Sequence, residues 1–67
     1  MTIDLNTITK LYSIGELADI LKVSKVTIYR LVESRKIPFY KIKGSIRIAE
    51  NDVLNFLEQN RIEPIKR

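Results

Sequence analysis

The feature that most narrows the possible folds is a break in a helical apolar repeat. Ile14, Leu17, Ala18 and Leu21 recur at helical spacing, and Ile28 and Leu31 resume the pattern after a short interruption. Lys22-Val23 is too short to be anything but a tight turn, so the chain is predicted to form two helices that cross at once. Local signals agree with both starts. Ser13-Ile14-Gly15-Glu16 fits a capping box, with Tyr12 and Leu17 at the flanking staple positions. Ser24 is a good cap for the second helix, predicted to run to about Arg35.

Such a pair must be held by packing alone. The 67 residues contain neither cysteine nor histidine, which excludes disulfides, Cys/His zinc sites and histidine-based nucleophile pairs. With only two glycines there is no phosphate-cradling loop, so no catalytic residue, metal or cofactor is expected. At 45% hydrophobic and 30% charged, the composition supports one small folded domain. Apolar runs reach two to three residues, so no membrane span or signal-peptide core is expected. A binding module remains.

Beyond the second helix, Pro38 blocks helical continuation and pushes Ile37 toward extended geometry. Residues 39–43 and 45–48 read as short β-runs, with Gly44-Ser45 suited to a tight hairpin turn. Glu50 and Asp52 then favour the first turn of a third helix, with Val53, Phe56 and Leu57 as its apolar stripe and Leu54 beside it. Residues 1–10 read as a loosely ordered leader, 11–62 as the domain and 63–67 as a basic tail. The expected class is α+β, mainly α: helix, helix, two-stranded hairpin, closing helix.

Charge locates the binding surface. Residues 22–47 hold eight cations (Lys22, Lys25, Arg30, Arg35, Lys36, Lys41, Lys43 and Arg47) against Glu33, for +7. The flanking segments are −2 and −1 within a total of +4. A basic centre between acidic flanks suits a polyanion, and on charge alone a plain solvated basic face equally well.

The apolar positions sharpen this. Leu17, Ala18, Leu21, Val23, Ile28 and Leu31 fall where a DNA-binding helix-turn-helix needs them: Ala18 allows a close crossing, and Val23 plugs the turn. Residues 11–57, LYSIGELADILKVSKVTIYRLVESRKIPFYKIKGSIRIAENDVLNFL, resemble the excisionase-like, MerR-related winged helix-turn-helix family. The matching pieces are VSKVTIYRL, Ile37-Pro38, the Tyr40-to-Ile48 hairpin and Asp52-Val53. The resemblance implies a winged helix-turn-helix in which the hairpin is the wing. It departs from the family at two places where glycine is frequent: this chain has Lys22 in the inter-helix turn and Arg35 after the second helix. A left-handed backbone at either would be strained.

On a helical wheel centred on Ile28, Leu31 and Val32 fall on the buried side and Val26, Arg30 and Glu33 opposite, with Thr27 and Tyr29 on the flanks. Arg30 is the candidate for bidentate readout of guanine, with a phosphate contact or a plain solvated arginine as the alternatives, and Val26 for a thymine methyl, with an ordinary surface valine as the alternative. Ser24 and Lys25 suit phosphate at the helix start. Tyr29 could serve a phosphate or the wing; Glu33 either reads cytosine or lies off the interface. In the hairpin, period two sends Tyr40, Ile42, Ile46 and Ile48 to the core and Lys41, Lys43 and Arg47 to one outer face, with Ser45 at the tip. Such a stripe serves as a wing gripping DNA or as a lysine-protected edge; beside a helix-turn-helix the wing is favoured.

The expected partner is double-stranded DNA. The resemblance implies an excisionase that binds and bends attachment-site DNA and steers a tyrosine or serine integrase. A small transcriptional regulator is the alternative, and an adaptor for an acidic protein a weaker one. A bacterial or phage-encoded, cytoplasmic, nucleoid-associated protein is expected; with no heptad repeat or long helix for a stable dimer it is expected to be monomeric when free, and the excisionase reading requires cooperative occupancy of DNA.

Overall fold

The computed structural model describes residues 10–65. In chain order the elements are β1 (Leu11–Tyr12), α1 (Ile14–Leu21), α2 (Lys25–Glu33), β2 (Tyr40–Ile42), β3 (Ser45–Ala49) and α3 (Glu50–Gln59). The leader falls almost wholly outside the described residues, as do Lys66 and Arg67 of the tail.

Helix α1 begins at the expected capping box. The Ser13 amide donates to Glu16 Oε1 at 2.9 Å, and the Glu16 amide donates to Ser13 Oγ at 3.1 Å. The two bonds satisfy orphan donors at the helix start. Helix α2 starts on Ser24, whose hydroxyl accepts from the Thr27 amide at 3.2 Å.

Both helices end in the same way. After α1, Val23 N donates to Ala18 O and Lys22 N to Asp19 O; after α2, Lys36 N donates to Leu31 O and Arg35 N to Val32 O. These paired bonds are Schellman closures, which require one left-handed residue. Lys22 and Arg35 supply it, each at φ 58°. The strain expected at both positions is therefore present, at about 1–2 kcal/mol per non-glycine residue. A cation at a helix C-terminus returns about 0.3–1 kcal/mol of that. Helix α2 consequently stops at Glu33, two residues before Arg35.

The sheet is three-stranded and antiparallel, in the order β1-β3-β2. The expected hairpin is present, and β1 adds a strand that sequence reasoning did not find: Leu11 pairs with Ala49 and Tyr12 with Ile48. The Glu50 amide donates to Lys10 O at 2.9 Å, so residues 10–12 are fastened at the seam between β3 and α3.

The hairpin turn lies one residue earlier than expected. Lys43 (φ 48°) and Gly44 (φ 84°) are its central residues, and Ile42 pairs with Ser45. Two left-handed residues make the type I′ geometry that matches strand twist.

The core joins Ile14, Leu17 and Ala18 of α1 to Ile28 and Val32 of α2, Ile37, Ile48 and Val53. Leu21, Leu31, Phe39, Ile46 and Phe56 pack around it. Outside the hairpin, two expected core residues lie elsewhere. Val23 is 41% exposed, because the Schellman bond through its backbone closes the turn without its side chain. Leu57 is 43% exposed, because Val53 and Phe56 take the side of α3 that meets the core.

Candidate nucleic-acid interface

Helix α2 separates its two faces cleanly. Ile28 and Val32 are buried, whereas Lys25, Val26, Thr27, Tyr29, Arg30 and Glu33 are all exposed. The predicted outward face of α2 is therefore open, with Val26 and Tyr29 about half exposed. Ser24 and Thr27 are less free than the sequence suggested. Besides the cap bond, their hydroxyls lie 3.0 Å apart in a hydrogen bond. The Lys25 stem lies over Gly15, its Cε 3.4 Å from where a Cβ on that glycine would stand.

The wing departs from the expected alternation. A two-residue turn pairs Lys41 with Ile46 and Tyr40 with Arg47. Residues sharing a face therefore have opposite parity on the two strands. With Ile48 buried and Ile46 half-buried, Lys41 shares the inner face, and its side chain is exposed at the sheet margin. Tyr40, Ile42, Ser45 and Arg47 point the other way, leaving Tyr40 and Ile42 solvent-exposed rather than in the core. Lys43 belongs to neither face, being in the turn. The single stripe of Lys41, Lys43 and Arg47 does not exist.

Arg47 is also partly engaged. It is half-buried, and its Nη1 donates to Ile46 O at 2.8 Å. Its charge helps to hold the Glu16 carboxyl below the usual range, although the Ser13 amide is the main cause.

A groove runs between the end of α2 and the inner face of the wing, lined by Val32, Glu33, Arg35, Phe39, Lys41 and Ile46 among others. The Arg35 guanidinium sits 5.5 Å from the Phe39 ring centroid, within cation–π range. Among the described residues, Arg61–Glu63 is the one salt bridge. The cations of α2 and the wing thus keep their charge available to a ligand. Sequence reasoning left Lys22 and Arg35 out of the site, although both are exposed. The frequent-glycine positions they occupy were the available signal. Among the described residues there is no His/Cys/Asp/Glu group able to hold a metal ion, and no helix long and apolar enough to cross a membrane.

Two crossed helices, a tight turn, a sheet-borne hairpin and a closing helix define a helix-turn-helix protein of the winged kind. The chain belongs to the helix-turn-helix domain family, whose model matches residues 11–61. It is 36% identical over 58 residues to "Uncharacterized protein YvgK" of Bacillus subtilis, a match covering 85% of this chain and 19% of that protein. It is also 36% identical over 50 residues to "Putative DNA-binding protein Rv0500A" of Mycobacterium tuberculosis, covering 75% of this chain and 64% of the relative. The chain thus spans less than two thirds of the length of these relatives. No solved structure matches it.

Proposed function

We propose that this chain binds double-stranded DNA sequence-specifically and acts as an excisionase, bending attachment-site DNA so that an integrase excises a mobile element. Membership of the helix-turn-helix family and similarity to a relative named for DNA binding support the DNA-binding part. The excisionase part rests on the resemblance carried by residues 11–57.

The observation that carries the proposal is the open face of α2. Arg30 offers a fork of donors suited to guanine O6 and N7, and Val26 offers an apolar contact suited to a thymine methyl. Among the described residues both side chains stand exposed, while Ile28 and Val32 do the packing. Lys43 at the tip of the wing and Lys41 at its margin are placed to take phosphates beside the groove that α2 enters. Arg47 contributes less, being half-buried and bonded to its own strand. DNA bending costs on the order of 1–6 kcal/mol for a 20–30 base-pair site, which several copies on neighbouring sites offset by pressing successive wings into the duplex.

Footprinting on DNA flanking the gene, with a circular-permutation gel shift, tests the proposal. Cooperative occupancy of closely spaced, same-orientation sites with measurable bending is expected. A single complex on unbent DNA, or one inverted repeat over a promoter, would assign the chain to transcriptional regulation instead.

A further inference from the structure

Three non-glycine residues among the described ones have left-handed backbone: Lys22, Arg35 and Lys43. All three are lysine or arginine, and all are exposed. Glycine suits such positions without strain, and asparagine tolerates them. A strained conformation kept in place of the easy residue points to a use for the side chain.

Helix-dipole stabilisation is the competing explanation, since Lys22 and Arg35 each close a helix C-terminus. It does not extend to Lys43, which sits in a hairpin turn with no helix to complement. What the three share is a charge at an exposed corner, before α2, after α2 or at the tip of the wing. Lys22 precedes α2 and its cap; Arg35 follows it. Nine residues at about 1.5 Å each make α2 about 13 Å long. A major groove is about 12 Å wide between its phosphate walls. A helix lying in that groove fills its width with its own diameter of about 10–12 Å, so cations just beyond its two ends stand beside the backbone at two points along the groove.

We infer that Lys22 and Arg35 are phosphate clamps at opposite ends of α2, held at strained left-handed corners so that their charges reach the DNA backbone at two points along the groove. This rests on the DNA-binding proposal above. Phe39 adds a platform for Arg35, its ring 5.5 Å from the guanidinium, and Arg35, just past α2, lines the same groove as Lys41 of the wing, two cations against the Glu33 carboxylate that also lines it. A phosphate beside that groove would meet cations from both sides. These contacts carry no sequence information, so both cations should strengthen binding to any duplex.

The test is substitution by residues that keep the backbone and remove the charge. Lys22→Gly, Lys22→Asn, Arg35→Gly and Arg35→Asn are each measured for thermal stability and for affinity to cognate and random duplexes across a salt series. Each is expected to be as stable as the parent or more so. Each should bind both duplexes about fivefold more weakly near 0.15 M salt, with the slope of log K against log salt reduced by about 0.9. Unchanged affinity would overturn the inference and leave the cations to the helix dipoles. So would glycine variants less stable than the parent, because the left-handed corners would then not be strained. If the parent itself showed no salt-dependent binding, the DNA-binding proposal would fall first, and the two failures are distinct.

Discussion

Ile42 and Ile48 are the same residue type in one hairpin, and the turn register makes them differ sharply in consequence. Ile48 is 0% exposed and Ile42 is 52% exposed. Ile48→Ala removes buried methyl groups and leaves a cavity, for a loss of about 2–5 kcal/mol. Ile42→Ala removes side-chain atoms already half in water. It forfeits about half of the 1.5–3 kcal/mol that full burial provides, or about 1 kcal/mol, with no enclosed cavity. Any loss of strand propensity is shared and drops out of the comparison. A domain of this length has a stability of about 3–10 kcal/mol, so Ile48→Ala removes a large fraction of it. Urea denaturation followed by circular dichroism reads both variants. With a slope of about 1 kcal/mol per molar, their midpoints should differ by about 1–4 M. Equal midpoints, or a larger loss at Ile42, would mean that the wing is turned over and that the parity argument is wrong.

Three other outcomes are expected. Arg30→Ala should weaken cognate binding by about 1–3 kcal/mol and random DNA much less, measured by competition; equal weakening on all sequences would displace the reading face from Arg30. Gly44→Ala should lower stability by about 1 kcal/mol, about 4–8 °C in a thermal melt, from backbone alone, since a Cβ there meets nothing within 4 Å. Tyr12 donates to Glu50 at 3.1 Å, chiefly for which its phenol is raised above the ordinary 10.0, so its stabilisation is full below pH 10 and lost as pH rises through the elevated value. Spectrophotometric titration should show the Tyr12 phenol returning toward the ordinary value in Glu50→Ala, and a titration unchanged by that substitution would remove the contact.

Much of the fold was legible because its signals are local. The capping box at Ser13 and Glu16, the Ser24 cap and the Pro38 stop act over four residues or fewer, and the structure keeps them all. The two cations standing where glycine is frequent also announced their strain correctly. The misreadings are non-local. Two-residue strand β1 carries no periodicity and exists because β3 offers it an edge. The faces of the wing depend on whether the turn holds an even or odd number of residues, which shifts Tyr40, Ile42 and Lys41 together. On α3 the apolar arc is wider than the face that meets the core, so Leu57 reads as part of the stripe with Val53 and Phe56 until packing chooses among them, whereas Leu54 already reads as standing beside it. The outward face of α2 was readable because Ile28 and Val32 fix its rotation. Lys22 and Arg35 were named as departures, but nothing in their spacing tied them to the site.

The most direct measurement of the central claim, that α2 and the wing together engage the DNA backbone, is the salt dependence of binding to a cognate duplex. Lys22, Lys25, Arg35, Lys41 and Lys43 are exposed cations around α2 and the wing. If each neutralises one phosphate, log K should fall against log salt with a slope of about −4 to −5. A slope shallower than about −2 would contradict that claim.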